Sequence, residues 1–223
     1  MNRFNVFLLI HKGLRAMMYD TSLSLQHTDF AHTREFPHSL EKLSKVLDTF
    51  DGHAGHEDKH IFKLLESCAE PLMNEMEAEH VTDHRLSDEL RALMAEFRNL
   101  IDPVAKYSTG VKICHAFNEF IAFNLTHLNK EETVVNEALW QNYTDLEIIQ
   151  ANQRLVSTLT PEEAQLSALW MIRSCSNNEI SGWINAIKNN IPQPLFQMLM
   201  QLAEQELPAH RFEAIQGAIM ETA

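Results

Sequence analysis

The sequence predicts an all-α protein, and three observations carry that prediction. Only 6 Gly and 7 Pro stand among 223 residues, too few for an architecture of strands and turns. Leu, Met, Ala, Glu and Gln are plentiful, and all are good helix formers. Apolar residues recur at steps of three and four along four long stretches, the spacing that gathers one face of a helix.

The first stretch, 3–25, carries Phe4, Phe7, Leu8, Leu14 and Met18, with His11 inside the same stripe. The start, MNRFNVFLLIHKG, has a short apolar run broken by Asn5 and no small-residue cleavage site. It reads as a helix of the mature chain rather than a signal peptide. A polar connection, QHTDFAHTREFPH, ends near Pro37. Ser39 can cap a second helix, whose stripe Leu43, Val46, Leu47, Phe50 continues through His53, His56, His60 and Leu64. Gly52 and Gly55 weaken that helix and allow another group to come close.

After Pro71 a third helix carries Met73, Met76, His80 and His84, then Leu90, Met94 and Phe97. The later stripe lies well round the helix from His84, and either a bend near Ser87 or a late helix start would reconcile the two. Asp102-Pro103 ends it. A fourth helix follows Gly110 with Ile113, Phe117, Phe120, then His127 and Glu131, then Val134 and Val135. Glu132 lies about 100° from Glu131 and points elsewhere. From Asp145 only His210 remains of the histidines. TPEEAQLSALW opens a further helix, with Thr160 as N-cap, Pro161 in the first turn and Glu163 closing a capping box. Pro192, Pro194 and Pro208 divide the rest into short helices. The organisation expected is a four-helix bundle over 1–144 and a helical extension over 145–223 packed on it.

The formal net charge of −13 argues against nucleic acid or an anionic membrane surface as partner. No apolar run approaches the roughly 18 residues of a membrane span. Cys68, Cys114 and Cys175 form neither a CxxC pair nor an even disulfide set, which points to a cytoplasmic setting. A Gly-rich phosphate loop, a nucleophile elbow and a paired-carboxylate site outside the histidine set are all lacking, so catalysis on an organic substrate has little support.

Histidine is the outlier, with 12 residues, nearly all before residue 130. Seven polar side chains interrupt apolar stripes: His11; His56 and His60; His80 and His84; His127 and Glu131. Residues four apart project to one side of a helix, and imidazole and carboxylate are usual ligands for iron, zinc and manganese. Burying seven such groups without partners would cost several kcal/mol each in the worst case, by an order-of-magnitude reckoning of about 2–7. A metal cluster removes that cost. One metal would not use all seven; two would. His53 shares the stripe a turn earlier and reads as a supporting or core residue.

These residues resemble the motifs of the hemerythrin and hemerythrin-like (HHE cation-binding) family. Its pattern is one His on the first helix, HxxxE on the second, one His or HxxxH on the third, and HxxxE or HxxxxD on the fourth. LLIHKGLR resembles the first motif, GHEDKHIFKLLE the second, EAEHVTDH the third and THLNKEETVV the fourth, across about residues 5–140. The resemblance implies an up-down bundle and two iron ions with a bridging oxo or hydroxo group, other divalent metals being alternatives. It implies His11, His56, His60, His80, His84, His127 and Glu131 as metal ligands. In that alignment His60 stands where the family has a bridging Glu. Glu131 would then be the lone bridging carboxylate, and the lost negative charge would favour ferrous iron. Glu57 and Asp58 lie at a worse helical phase for the role.

The implied function is binding of, or reaction with, a small diatomic or peroxo ligand: dioxygen, peroxide or nitric oxide. An apolar lining with Phe117, Phe120 and Met76 would keep the pocket dry. Two other readings stand beside it. One is an oxygen or iron sensor or interaction module, with a protein partner or homodimer formed through the C-terminal helices and their tryptophans. The other is a metal-binding or storage bundle with no redox role.

Overall fold

In a computed structural model of the chain, residues 3–33 and 36–220 are described, and all their regular structure is helical. The chain divides into two compact units, one comprising residues up to Val6 with Met17–Thr158, the other Phe7–Ala16 with residues from Leu159 onward.

The first unit is built on the later turns of α1 (Leu8–Gln26) and on α2 (His38–His60), α3 (Glu70–Asn99) and α4 (Pro103–Lys130). Pairing shows that neighbours run antiparallel. Lys42 near the start of α2 reaches Asp20 and Ser24 near the end of α1, at 2.7 and 2.9 Å. On α2, Asp48, Asp51 and Asp58 pair with Arg91, His84 and His80 of α3 at 2.8–2.9 Å, the partner number falling as the residue number rises. On α3, Glu79, Asp83 and Glu96 likewise meet His127, Asn124 and Thr109 of α4. Much of the interior is apolar, with Leu43, Leu47, Leu90, Ile113 and Phe120 fully buried.

Helix ends depart from expectation in three places. Pro37, not Ser39, precedes α2; Ser39 lies inside the helix and its Oγ accepts from Thr28 Oγ1 at 2.7 Å. α3 runs as one helical segment from Glu70 to Asn99, so the helix does not start late. α4 starts at Pro103, capped by Asp102, which accepts from the Ala105 amide at 2.8 Å. Gly110 therefore sits within α4. There a Cβ would come 2.2 Å from Phe30 Cγ, so only glycine admits the ring. Gly55, by contrast, faces open space.

A π-helical segment, Glu131–Val135, joins α4 to α5 (Asn136–Asn142). Trp140 Nε1 donates to Phe4 O at 2.8 Å, and Arg3 donates to Trp140 O, Tyr143 O and Asp145. α6 (Asp145–Val156) packs on α2 and buries Ile148 and Ala151. For that reason the first unit extends to Thr158 instead of closing at 144.

The second unit comprises the first turns of α1 with α7 (Pro161–Ser174), α8 (Asn177–Ile187), α9 (Gln193–Glu206) and α10 (Ala209–Met220). Its core holds Ile172, Ile180, Ile184, Ala203 and Ile215. Capping boxes start α7 at Thr160/Glu163, as the sequence predicts, and α8 at Ser176/Glu179. Lys12 pairs with Glu179 at 2.5 Å, and Gly13 lets α1 approach the backbone of Trp170, a Cβ there lying 3.2 Å from Trp170 Cβ. Among the described residues, no helix is long and apolar enough to cross a membrane.

Candidate metal centre

On each of α2, α3 and α4, polar side chains take over the buried stripe at mid-bundle. On α4 the stripe Ile113, Phe117, Phe120 continues through Asn124 and His127, and Glu131 follows as the first residue of the π-helical segment. All six are buried. On α3 the buried series is Met76, His80, Asp83, Ser87, Leu90, Met94, Phe97. On α2 it is Leu43, Val46, Leu47, Phe50, Ala54, Glu57.

The α2 series places the expected ligands unequally. At 3.6 residues per turn, Glu57 lies about 20° from Phe50, His53 about 60°, His60 about 80° and His56 about 120°. Two successive steps of three carry the stripe off the interior face, and a step of seven returns to it. Glu57 is accordingly 1 % exposed. His56 and His60 are only partly buried, and the structure does not bring them to the cluster. His56 Nδ1 instead lies 3.5 Å from Thr158 Oγ1. The His60 imidazole is held below its usual range, first by partial burial and then by its neighbours His56, Lys59, Lys63 and Arg154. The second helix thus carries its inward carboxylate at 57, with His60 outside the cluster.

His84 also lies apart from the cluster. It lies about 80° from Met76 on α3, is 46 % exposed, and pairs with Asp51 at 2.9 Å. Phase alone removes it from the interior.

The buried residues converge. Glu57, His80, His127 and Glu131 each offer a ligand atom, all within 4.8 Å of one another. His53, Glu57 and Glu131 do the same, with His53 Nε2 3.1 Å from Glu57 Oε1. Glu57 and Glu131 are common to both sets. Nε2 of His127 lies 3.3 Å from Glu131 Oε1, and Nε2 of His80 lies 3.7 Å from Glu57 Oε2. His11, on α1, is fully buried and stacks on Phe7 with ring centroids 5.3 Å apart.

The outward nitrogens are held as metal-binding imidazoles usually are. His80 Nδ1 lies 2.8 Å from Asp58 Oδ1, and His127 Nδ1 lies 2.8 Å from Glu79 Oε2. Glu79 also accepts from Lys130 at 2.6 Å. His80 Nε2 is buried and has no hydrogen-bond partner. A nitrogen so placed, with its opposite edge fixed by a carboxylate, suits a metal ligand. Phe62 stacks on His80 at 5.2 Å and Phe123 on His127 at 6.1 Å, fixing both rings.

Charge dominates this interior. Burial alone would lower the pKa of His127, but Glu131 and Glu79 outweigh it and raise it to about 9. His80 is raised likewise, burial opposing and Asp58 and Glu57 prevailing. Glu79 is lowered, Lys130 and His127 overcoming its partial burial. Asp83 is raised, chiefly by burial, against the hydrogen bond from Asn124. A divalent cation among Glu57 and Glu131 would supply the positive charge that protonated imidazoles otherwise provide.

Beside the cluster lies a cavity of about 10 Å³, bordered by Phe50, Ala54 and Leu128 as well as by His53, His80, His127, Asp83 and Asn124. Phe117, Phe120 and Met76 are buried as expected but do not line it.

Sequence reasoning read His53 as a supporting or core residue and set Glu57 aside on helical phase, whereas both offer ligand atoms to the cluster. The signal was present as an HxxxE spacing at 53–57, one turn ahead of the HxxxH at 56–60 that drew attention. The model of the hemerythrin HHE cation binding domain matches residues 4–139. No curated protein and no solved structure matches the chain.

Proposed function

The chain belongs to the hemerythrin HHE cation-binding family, and on that premise we propose that its bundle holds a non-haem di-iron centre for a small ligand, dioxygen, peroxide or nitric oxide. One observation carries the reading: two buried carboxylates, Glu57 and Glu131, are shared by two overlapping sets of ligand atoms. A carboxylate common to two sets is what a pair of metals needs as a bridge. His80 and His127 would hold one metal and His53 the other, with Glu57 and Glu131 between them. We assign His11 as a further ligand from the first helix, on its place in the family's first motif and its complete burial. The assignment keeps the family pattern, with HxxxE at 53–57, the single-His form at 80 and HxxxE at 127–131. It replaces His56, His60 and His84.

Iron, when bound, would supply a redox couple for reaction with the small ligand. The chain's own residues do the rest. Asp58 and Glu79 fix which nitrogen of His80 and His127 faces inward. Phe62 and Phe123 hold the rings, and the closed apolar packing of Phe50, Phe120 and Leu128 excludes bulky substrates. With two carboxylates at the centre, the loss of charge expected from His60 does not arise. Cys68, Cys114 and Cys175 form no disulfide, which suits the cytoplasmic setting we propose.

Metal analysis of anaerobically purified protein, followed by optical spectra on adding oxygen, peroxide or nitric oxide, tests the reading. Two irons per chain and a ligand-to-iron absorption band are expected. Zinc at full occupancy with no optical response would establish the storage or structural reading in its place. A sensor role is favoured by α1, whose residues are divided between the two units. It predicts a change in hydrogen exchange over residues 159–220 on metal oxidation.

A further inference from the structure

Asp83 and Asn124 form a polar pair with no assigned task. Both lie on the buried stripes that carry the ligand candidates, Asp83 one step after His80 and Asn124 between Phe120 and His127. They are 2 % and 1 % exposed. Asn124 Nδ2 donates to Asp83 Oδ1 at 2.6 Å and to Phe120 O at 3.1 Å. Two leucines would satisfy the bundle better, because a buried polar pair replaced by apolar groups of similar shape is usually neutral or stabilising. Neither residue belongs to the two sets that share Glu57 and Glu131. Both do border the cavity of about 10 Å³, together with His53, His80 and His127. That volume admits about one water or a ligand of similar size. On its other side Asp83 meets Asp51 and His84, with ligand atoms within 4.8 Å of one another, and His84 is 46 % exposed. Polar side chains therefore continue from the cavity wall to solvent.

We propose that Asp83, positioned by Asn124, is a specificity-determining residue of the centre: it accepts a hydrogen bond from a small ligand in this cavity and so favours ligands that carry a proton. Water and hydrogen peroxide have a proton to give; dioxygen and nitric oxide have none. Asn124 occupies one carboxylate oxygen and sets its orientation, leaving the other lone pairs for the ligand. The inference rests on the di-iron reading above and narrows it, from small ligands in general to peroxide and water.

The test uses the full chain loaded anaerobically with ferrous iron, as wild type, as Asp83→Leu/Asn124→Leu, and as Asp83→Asn. The double variant removes both polar partners at once; Asp83→Asn keeps shape and packing should the double variant not fold. In the double variant, oxidation by hydrogen peroxide is expected to slow about tenfold, the worth of one hydrogen bond to a charged group. Nitric oxide affinity, read by optical titration, is expected to change less than about threefold, since no such bond is lost. Asp83→Asn is expected to slow peroxide by a smaller factor in the same direction. A crystal structure of the metal-free wild type should show a water within hydrogen-bond distance of Asp83, absent from the double variant. Equal loss toward peroxide and nitric oxide, or no loss toward either, overturns the proposal. A wild type that holds two irons while the variants match it overturns this inference alone. A wild type that holds fewer than two irons overturns the di-iron reading, and this inference with it.

Discussion

Glu57 and His56 are adjacent in sequence and about 100° apart on the helix, and the chemistry of the second helix depends on which one faces in. Removing the inward carboxylate should therefore matter where removing the histidines does not. Glu57→Gln is expected to reduce bound iron from two per chain to one or fewer. His56→Ala and His60→Ala should leave stoichiometry unchanged; elemental analysis after loading and desalting reads all three. His60→Glu should likewise shift nothing, because position 60 lies about 80° off the interior axis. The residues behind the ligands are open to the same approach. Asp58→Ala and Glu79→Ala each free the outward nitrogen of a buried imidazole. Each should weaken metal binding by about 10–100-fold in a competition titration with a chelator. At this scale the sequence was legible on α4, where His127 and Glu131 stand in phase with Phe117 and Phe120. It misled on α2, where three histidines at 53, 56 and 60 and two acids at 57 and 58 offer several plausible spacings. Only the angle from Phe50 separates them.

The elements were easier to read than their ends. Apolar periodicity locates α1 to α4 because each buries one face for many turns. Pro37, Pro71 and Pro103 mark the boundaries but do not say on which side the helix lies. Pro103 starts a helix in place of ending one, and Pro71 lies within the first turn of α3, as proline there allows. Gly110 was read as a start and is an internal contact with Phe30. Gly110→Ala should cost about 1–3 kcal/mol in urea denaturation, the usual penalty of overpacking. The capping boxes were visible because their side-chain spacing is local. Thr160→Ala should cost about 1 kcal/mol. Glu179 both closes the α8 box and pairs with Lys12. Burial alone would raise its carboxyl, but Lys12 and Ser176 outweigh that and hold it below its ordinary 4.5. A carboxylate depressed on folding contributes stability above its unfolded value and loses it as pH falls through the folded one. Stability should thus fall as pH drops below 4.5, and Glu179→Gln should flatten that part of the curve.

For the whole molecule, the interior of the first unit gathers three carboxylates, Glu57, Asp83 and Glu131, and the imidazoles of His53, His80 and His127, where a bundle ordinarily puts leucine. A ligand that binds only the folded chain stabilises it by about 2.7 kcal/mol at one hundred times its dissociation constant. Chelation should therefore lower the midpoint of thermal unfolding, and re-addition of ferrous iron should restore it. The division of the chain was the least legible feature. The scarcity of histidine after 144 marks a change of composition, whereas α6 packs on α2 and carries the first unit to Thr158. Nothing local in residues 7–16 announces that they group with residues from Leu159 onward; only tertiary contacts such as Gly13 with Trp170 do so. The central claim is a pair of metals bridged by Glu57 and Glu131. Anomalous scattering at the iron edge from crystals of the loaded protein tests it most directly. Two peaks are expected, each within bonding distance of both carboxylates, one beside His80 and His127 and the other beside His53. A single peak, or a peak ligated by His56 and His60, would contradict it.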